Sequence, residues 1–125
     1  MNEIVAETSY GKVWLEGDIL IGTFTEKLVI DLTIARDMVK DRLAVAGEKA
    51  YAILVEIDKV KGVDNSARNY LASAEGTHNL KAAAFVGTSY VSRIIGNIFM
   101  TFNKPLIPTR LFTDKEEALR WLKQF

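Results

Sequence analysis

Cysteine is absent from the 125 residues, which excludes disulfides, thiol redox chemistry and zinc–thiolate sites. Histidine occurs once, at His78, so a transition-metal site has too few nitrogen and sulfur ligands to draw on. No charge of one sign dominates: sixteen basic and sixteen acidic residues cancel. That balance argues against a general electrostatic grip on nucleic acid, which needs a basic excess, although a local basic patch is compatible with it. Long hydrophobic runs are missing too. The most apolar region, Ala82–Asn103, is broken by Arg93, and neither side approaches the roughly 20 apolar residues of a membrane span. Met1-Asn-Glu-Ile4 lacks a basic segment followed by an apolar one, so no signal peptide is expected and a cytoplasmic location is. There is no repeat, linker or low-complexity stretch, so residues 1–125 read as one domain.

The chain has ample material for a core, with 49% hydrophobic residues. Its centre is Tyr51–Leu71. Tyr51-Ala-Ile-Leu-Val-Glu-Ile57 is a continuous apolar run of the kind that forms a strand buried on both faces. Before it, Ile4–Tyr10, Lys12–Glu16 and Ile19–Phe24 are separated by glycine turns and imply an antiparallel meander. Gly22 would mark a bulge or a close backbone approach. Leu32, Ala35, Val39, Leu43 and Ala46 fall at helical spacing, with Asp31 or Thr33 as the cap and Gly47 as the stop.

After the central run, a charged loop over 58–63 precedes a second helix. Ala67, Tyr70, Leu71 and Ala74 form its apolar face. Leu80–Val86 is another buried-type strand. Gly87-Thr-Ser89 opens a third helix with Val91, Ile94, Ile95, Ile98, Phe99 and Phe102 expected inward. Pro105 and Pro108 end it. Thr109–Phe112 is a short strand. Thr113-Asp-Lys-Glu116 matches a capping box with Thr113 as the cap of a last helix bearing Ala118, Trp121, Leu122 and Phe125. The expected order is β-β-β-α-β-α-β-α-β-α. This is an α/β fold with a mixed sheet: an N-terminal antiparallel meander, then parallel strands joined by right-handed crossover helices.

Parallel sheets place their sites beyond the carboxyl ends of the strands. That edge carries Asp58, Asp64, Asn65, Ser66 and Arg68. Asp64, Asn65 and Ser66 are all cap formers, and a phosphate on a hydroxyl there would be welcomed by the helix N-terminus. Arg68 and Arg93 each lie early in a helix, where a cation is mildly unfavourable. An anion held between them, with Ser89 beside it, would relieve the conflict. Gly87-Thr-Ser89 has the outline of an anion cradle but lacks the lysine of a P-loop, so a structural turn and cap competes with that use. Ser66, His78 and Asp58 supply triad residue types without triad order or spacing. The other carboxylates are dispersed, so no catalytic residue, metal ligand or cofactor site is assigned. The third helix is apolar on more than one face. Core is the first expectation and a homodimer interface the second. A pocket beside it for a lipid or other small apolar ligand is a third, and would need a cavity of about 300 Å³ or more.

The element order, Leu54-Val-Glu-Ile-Asp58 and Asp64-Asn-Ser-Ala67 together resemble the STAS superfamily, specifically its SpoIIAA-like branch related to anti-sigma-factor antagonists. Pro108-Thr-Arg-Leu-Phe-Thr113 and Ala118-Leu-Arg-Trp-Leu122 are similar to small SpoIIAA-like bacterial proteins. The resemblance implies a non-catalytic regulatory domain whose partner is an anti-sigma-factor-like protein or another regulator. It also implies phosphorylation at Ser66, with Asp64 as its neighbour and Asp58 closing the strand. Asn65 stands where the family has serine, Ala67 where it has glycine, and Arg68 adds a charge. The branch is also described as sharing a fold with lipid binders, which is compatible with an apolar ligand.

Overall fold

The computed structural model describes residues 5–8 and 10–125. Ile4 and Ser9, both within the first expected strand, lie outside the described residues, as do Met1, Asn2 and Glu3. The meander is present as β1 (Val5–Glu7), β2 (Gly11–Glu16) and β3 (Ile19–Phe24), paired antiparallel. The parallel part follows with β5 (Tyr51–Glu56), β7 (Leu80–Val86) and β8 (Thr109–Phe112). The sheet order is β1-β2-β3-β5-β7-β8, so β5 lies in the interior of a six-stranded sheet. Gly22 sits in regular register opposite Val13 and Val55. The nearest atom to a Cβ there would be 3.9 Å away, so it marks neither the bulge nor the close approach expected of it.

Two strands were not expected. β4 (Leu28–Ile30) and β6 (Val60–Val63) pair in parallel as a separate two-stranded sheet. Each is too short to show periodicity, and Leu28 pairs with Val60 across the whole first helix. Four of the six residues of the expected charged loop, 58–63, are therefore strand.

Four α-helices among the described residues cover the sheet: α1 (Leu32–Ala46), α2 (Asn65–Ala72), α3 (Tyr90–Ile98) and α4 (Lys115–Leu122). Alternation along β5 explains the layering. Ala52 and Leu54 face α4, packing with Ile19, Ile21, Ala82, Ala84, Ala118 and Leu122. Ile53 and Val55 face the opposite side, which α1, α2 and α3 cover. Leu54 is fully buried.

Local chemistry sets the helix ends. Asp31 caps α1 by accepting from the Ile34 N–H at 2.9 Å, and Gly47 closes it by donating to the Leu43 carbonyl. α2 stops at Ala72, so Ala74 lies beyond it and is exposed. α4 is capped by Asp114, which accepts from the Glu116 N–H at 3.3 Å, and not by Thr113. Aspartate holds a full charge against the helix N-terminus, and here it replaces the hydroxyl.

The third helix departs most. It buries Ser92 and Gly96, then opens into a π-helical turn, Phe99–Asn103, which buries Phe99 against Phe85 at 5.5 Å between ring centres. Val91, Ile94 and Phe102, expected inward, are exposed. Close contact with β8 is the reason: a Cβ at Gly96 would lie 3.0 Å from Leu111 Cδ1, so only small residues fit the face that meets the sheet.

One buried charge was also not anticipated. Arg42 of α1 is 4% exposed and donates to the carbonyls of His78 at 2.8 Å and Gly76 at 3.1 Å. Burial pushes its pKa down to about 10, still well above neutrality. The guanidinium pins the turn after α2 to α1. Replacing Arg42 by Met keeps the stem but strands two carbonyls. The expected loss is about 1–3 kcal/mol in urea unfolding, against within about 0.5 kcal/mol for the exposed Lys40→Met.

Candidate functional site

The rim beyond β5 is built from two networks, one at each end of the third helical stretch. The first is centred on Asp58. β5 ends as the Ile57 N–H donates to the Val86 carbonyl, and the chain turns so that Val60 donates back to Ile57. This leaves the Asp58 carboxylate facing the start of α3. It accepts from the Thr88 N–H at 2.8 Å, the Thr88 hydroxyl at 2.8 Å, the Ser89 N–H at 3.0 Å and the Ser92 hydroxyl at 2.9 Å. Gly87 makes room for this, since a Cβ there would come within 2.6 Å of Ser92 Oγ. Ser89 caps α3 by accepting from the Ser92 N–H at 3.0 Å. The outlined cradle thus holds an anion supplied by its own chain. Desolvation pushes the Asp58 pKa up. The bonds from Ser89, Thr88 and Ser92 outweigh it and hold the carboxyl down at about 2.

The second network starts from β6, which delivers Asp64 to α2. The Asp64 N–H donates to the Ile30 carbonyl at 3.1 Å, and its side chain caps α2 by accepting from the Ala67 N–H at 2.9 Å. Arg68 donates to the Val63 carbonyl, to Asn65 Oδ1 at 3.3 Å and to Asn103 Oδ1 at 3.1 Å. Asn103 in turn donates to Asn69 Oδ1 at 2.7 Å. Arg68 therefore joins the start of α2 to the end of the π-helical turn. Asn103 and Asn69 escaped the sequence reading, because only folding brings positions 34 and 35 apart into contact.

The structure brings Ser89 to Asp58 and Asn65 to Arg68. Arg93 is exposed, one turn into α3, and its N–H donates to the Ser89 carbonyl. An external anion at Thr88 and Ser89 would have to displace Asp58 from their N–H groups. Asp64, Asn65 and Ser66 are exposed on the rim. Because Asp64 makes the cap, Ser66 has no capping duty, and its hydroxyl makes no hydrogen bond among the described residues. His78 is exposed; its backbone is engaged, the carbonyl by Arg42 and the N–H by the Glu75 carbonyl at 3.3 Å. No cluster of three or more histidine, cysteine or acidic residues among the described residues is placed to hold a metal ion.

A cavity of about 170 Å³ lies between the sheet and α1–α3, lined by residues including Val13, Met38, Val55, Phe85, Ile95 and Phe99. It is smaller than the roughly 300 Å³ expected of a ligand pocket. Its lining takes residues from α1, α2 and α3, so it is not confined to the third helix.

This topology, with the α2 start displayed beyond a central parallel strand, defines a SpoIIAA-like α/β domain. A solved structure with that fold, an uncharacterized protein of the DUF3478 family from Shewanella loihica PV-4, superposes with a TM-score of 0.53 at 14% identity, covering 97% of this chain and 92% of that one. The chain belongs to the family described as Domain of unknown function (DUF7793), whose model matches residues 13–125. A protein with unknown function from Arthrobacter sp. FB24 is similar at 22% identity and a TM-score of 0.34, over 90% of this chain and 99% of that one. No curated protein matches the chain.

The depressed pKa of Asp58 sets a pH window. Its contribution to stability is present above about pH 4, the ordinary carboxyl range, and is lost as pH falls through about 2. Asp58→Ala is expected to cost about 1–2 kcal/mol at pH 7, allowing for the exposure of the carboxylate. The gap to wild type should narrow between pH 4 and pH 2 in urea titrations at each pH.

Proposed function

We propose that this protein is a non-catalytic regulatory domain that binds a partner protein through the Asp58–Arg68 rim and is switched by phosphorylation of Ser66. The observation that carries this is the division of labour at the start of α2: Asp64 caps the helix, and Ser66 is left exposed without a structural task. A phosphate there would gain from the helix dipole and from Arg68 two residues on, and would add about −1.5 to −2 charge to the surface a partner meets. Asp58 supports the absence of catalysis. A carboxylate held near pKa 2 by four donors is a weak base at neutral pH. The partner that suits the resemblance is an anti-sigma-factor-type kinase or another regulator.

Phosphopeptide mass spectrometry of the protein purified from its native host should find phosphate on Ser66. A partner isolated with wild type should be kept by Ser66→Ala and bind Ser66→Asp about tenfold more weakly or not at all. Unmodified Ser66 together with equal partner recovery by all three forms would overturn the proposal.

The cavity favours a second reading, binding of a small apolar molecule. Its volume is close to that of engineered cavities that take up benzene, about 150 Å³. Gly22 lines it and has room for a side chain. Gly22→Val should therefore fill it and abolish uptake of benzene or a short alkyl acid, followed by calorimetry, while the fold persists. Uptake undiminished in Gly22→Val, or none by wild type, would count against an apolar ligand.

A further inference from the structure

The outer face of α3 inverts the usual arrangement of a helix on a sheet. Its small residues, Ser92 and Gly96, are buried, while Tyr90, Val91 and Ile94 face out and only Ile95 and Ile98 of its large apolar residues are half-buried. Tyr90 is 77% exposed, Val91 50%, Ile94 41%, Phe102 76% and Leu106, just beyond the π-helical turn, 68%. Tyr90 and Ile94 are one helical turn apart, and Phe102 and Leu106 continue the exposed apolar positions at multiples of four past the half-buried Ile98, a stripe over roughly 20 Å. Single exposed apolar residues are ordinary, but five within 17 positions mark a surface that is covered in use.

Charge around the stripe is one-sided. From Gly76 to Thr113 the chain carries Lys81, Arg93, Lys104 and Arg110 and no aspartate or glutamate, in a protein whose charges cancel over its full length. Arg93 and Lys104 are exposed and border the stripe along the chain. Asp58, which reaches α3 from β5, has its oxygens turned into the first turn of the helix.

We infer that this face rests on the surface of a membrane carrying anionic lipids. Tyr90, Val91, Ile94, Phe102 and Leu106 enter the boundary between headgroups and acyl chains, and Arg93 and Lys104 meet the lipid phosphates. Apolar and aromatic residues beside cations are the composition of an in-plane interfacial helix. No helix among the described residues is long and apolar enough to cross a membrane, so the contact is peripheral. A second copy of this chain is a poorer occupant. Two-fold pairing of the same patch sets Arg93 and Lys104 against their own mates. Five side chains also offer only several hundred Å², against about 800 Å² per partner in a standard protein interface.

The test is sedimentation of the full chain with vesicles of phosphatidylcholine alone and of phosphatidylcholine mixed with phosphatidylglycerol. Binding is expected to the mixed vesicles only, weakening as salt is raised to about 0.5 M. Phe102→Ser with Leu106→Ser should lower affinity at least about tenfold, and Arg93→Gln or Lys104→Gln about fivefold each. All four residues are exposed, and urea unfolding of each variant verifies the fold. Three results would each overturn the inference: no binding to either vesicle, binding untouched by the Phe102/Leu106 pair, or a concentration-dependent dimer that this pair dissolves. None of these readouts depends on the state of Ser66.

Discussion

A central strand with no solvent face constrains everything around it. Ala52, Ile53 and Leu54 of β5 are buried in succession, so apolar cover is required on both sides at once. α4 supplies one side, aided by Trp14, and α1, α2 and α3 supply the other. Parallel pairing, with the α1, α2 and α3 crossovers all on one face, puts the ends of β5 and β7 and the starts of the following helices on one rim. Asp58 then acts as a clasp. It carries the negative charge that the start of α3 attracts, and ties β5 to a helix that begins some 30 residues later.

The rim is consequently stiff at Asp58 and open at Ser66. Four hydrogen bonds converge on one carboxylate, whereas the exposed residues of α2 are held from behind, by Asp64 and by Arg68 reaching to Asn103. The rim thus joins a hydrogen-bonded base to an exposed edge. The same anchoring carries the third helical stretch across the fold with Tyr90, Val91, Ile94 and Phe102 outward. The rim and the apolar stripe are thus two surfaces on shared supports.

Most of the main sheet was legible because its signals are local. Apolar runs at 51–57 and 80–86, glycine turns in the meander and helical spacing in α1 each lie within one window of sequence. The failures share a cause. β4 and β6 exist only because they find each other across α1. Arg42 reads as a surface cation until the carbonyls of Gly76 and His78 enclose it. At α3, hydropathy pointed Val91, Ile94 and Phe102 inward, while the short distance to Leu111 demanded Gly96 and Ser92 there instead. At the α2 start, Asp64, Asn65 and Ser66 were equivalent capping candidates, and the backbone geometry selected Asp64.

The class of fold, and the placing of residues 58–68 beyond the carboxyl end of a central strand, were already settled in the sequence, since hydrophobic periodicity and turn residues act over a few positions and need no partner. Tertiary structure alone decided which carboxylate caps which helix, which arginine is buried and which side of α3 meets water. Those choices depend on distances between elements far apart in the chain, and close packing settles them only after the layers have met.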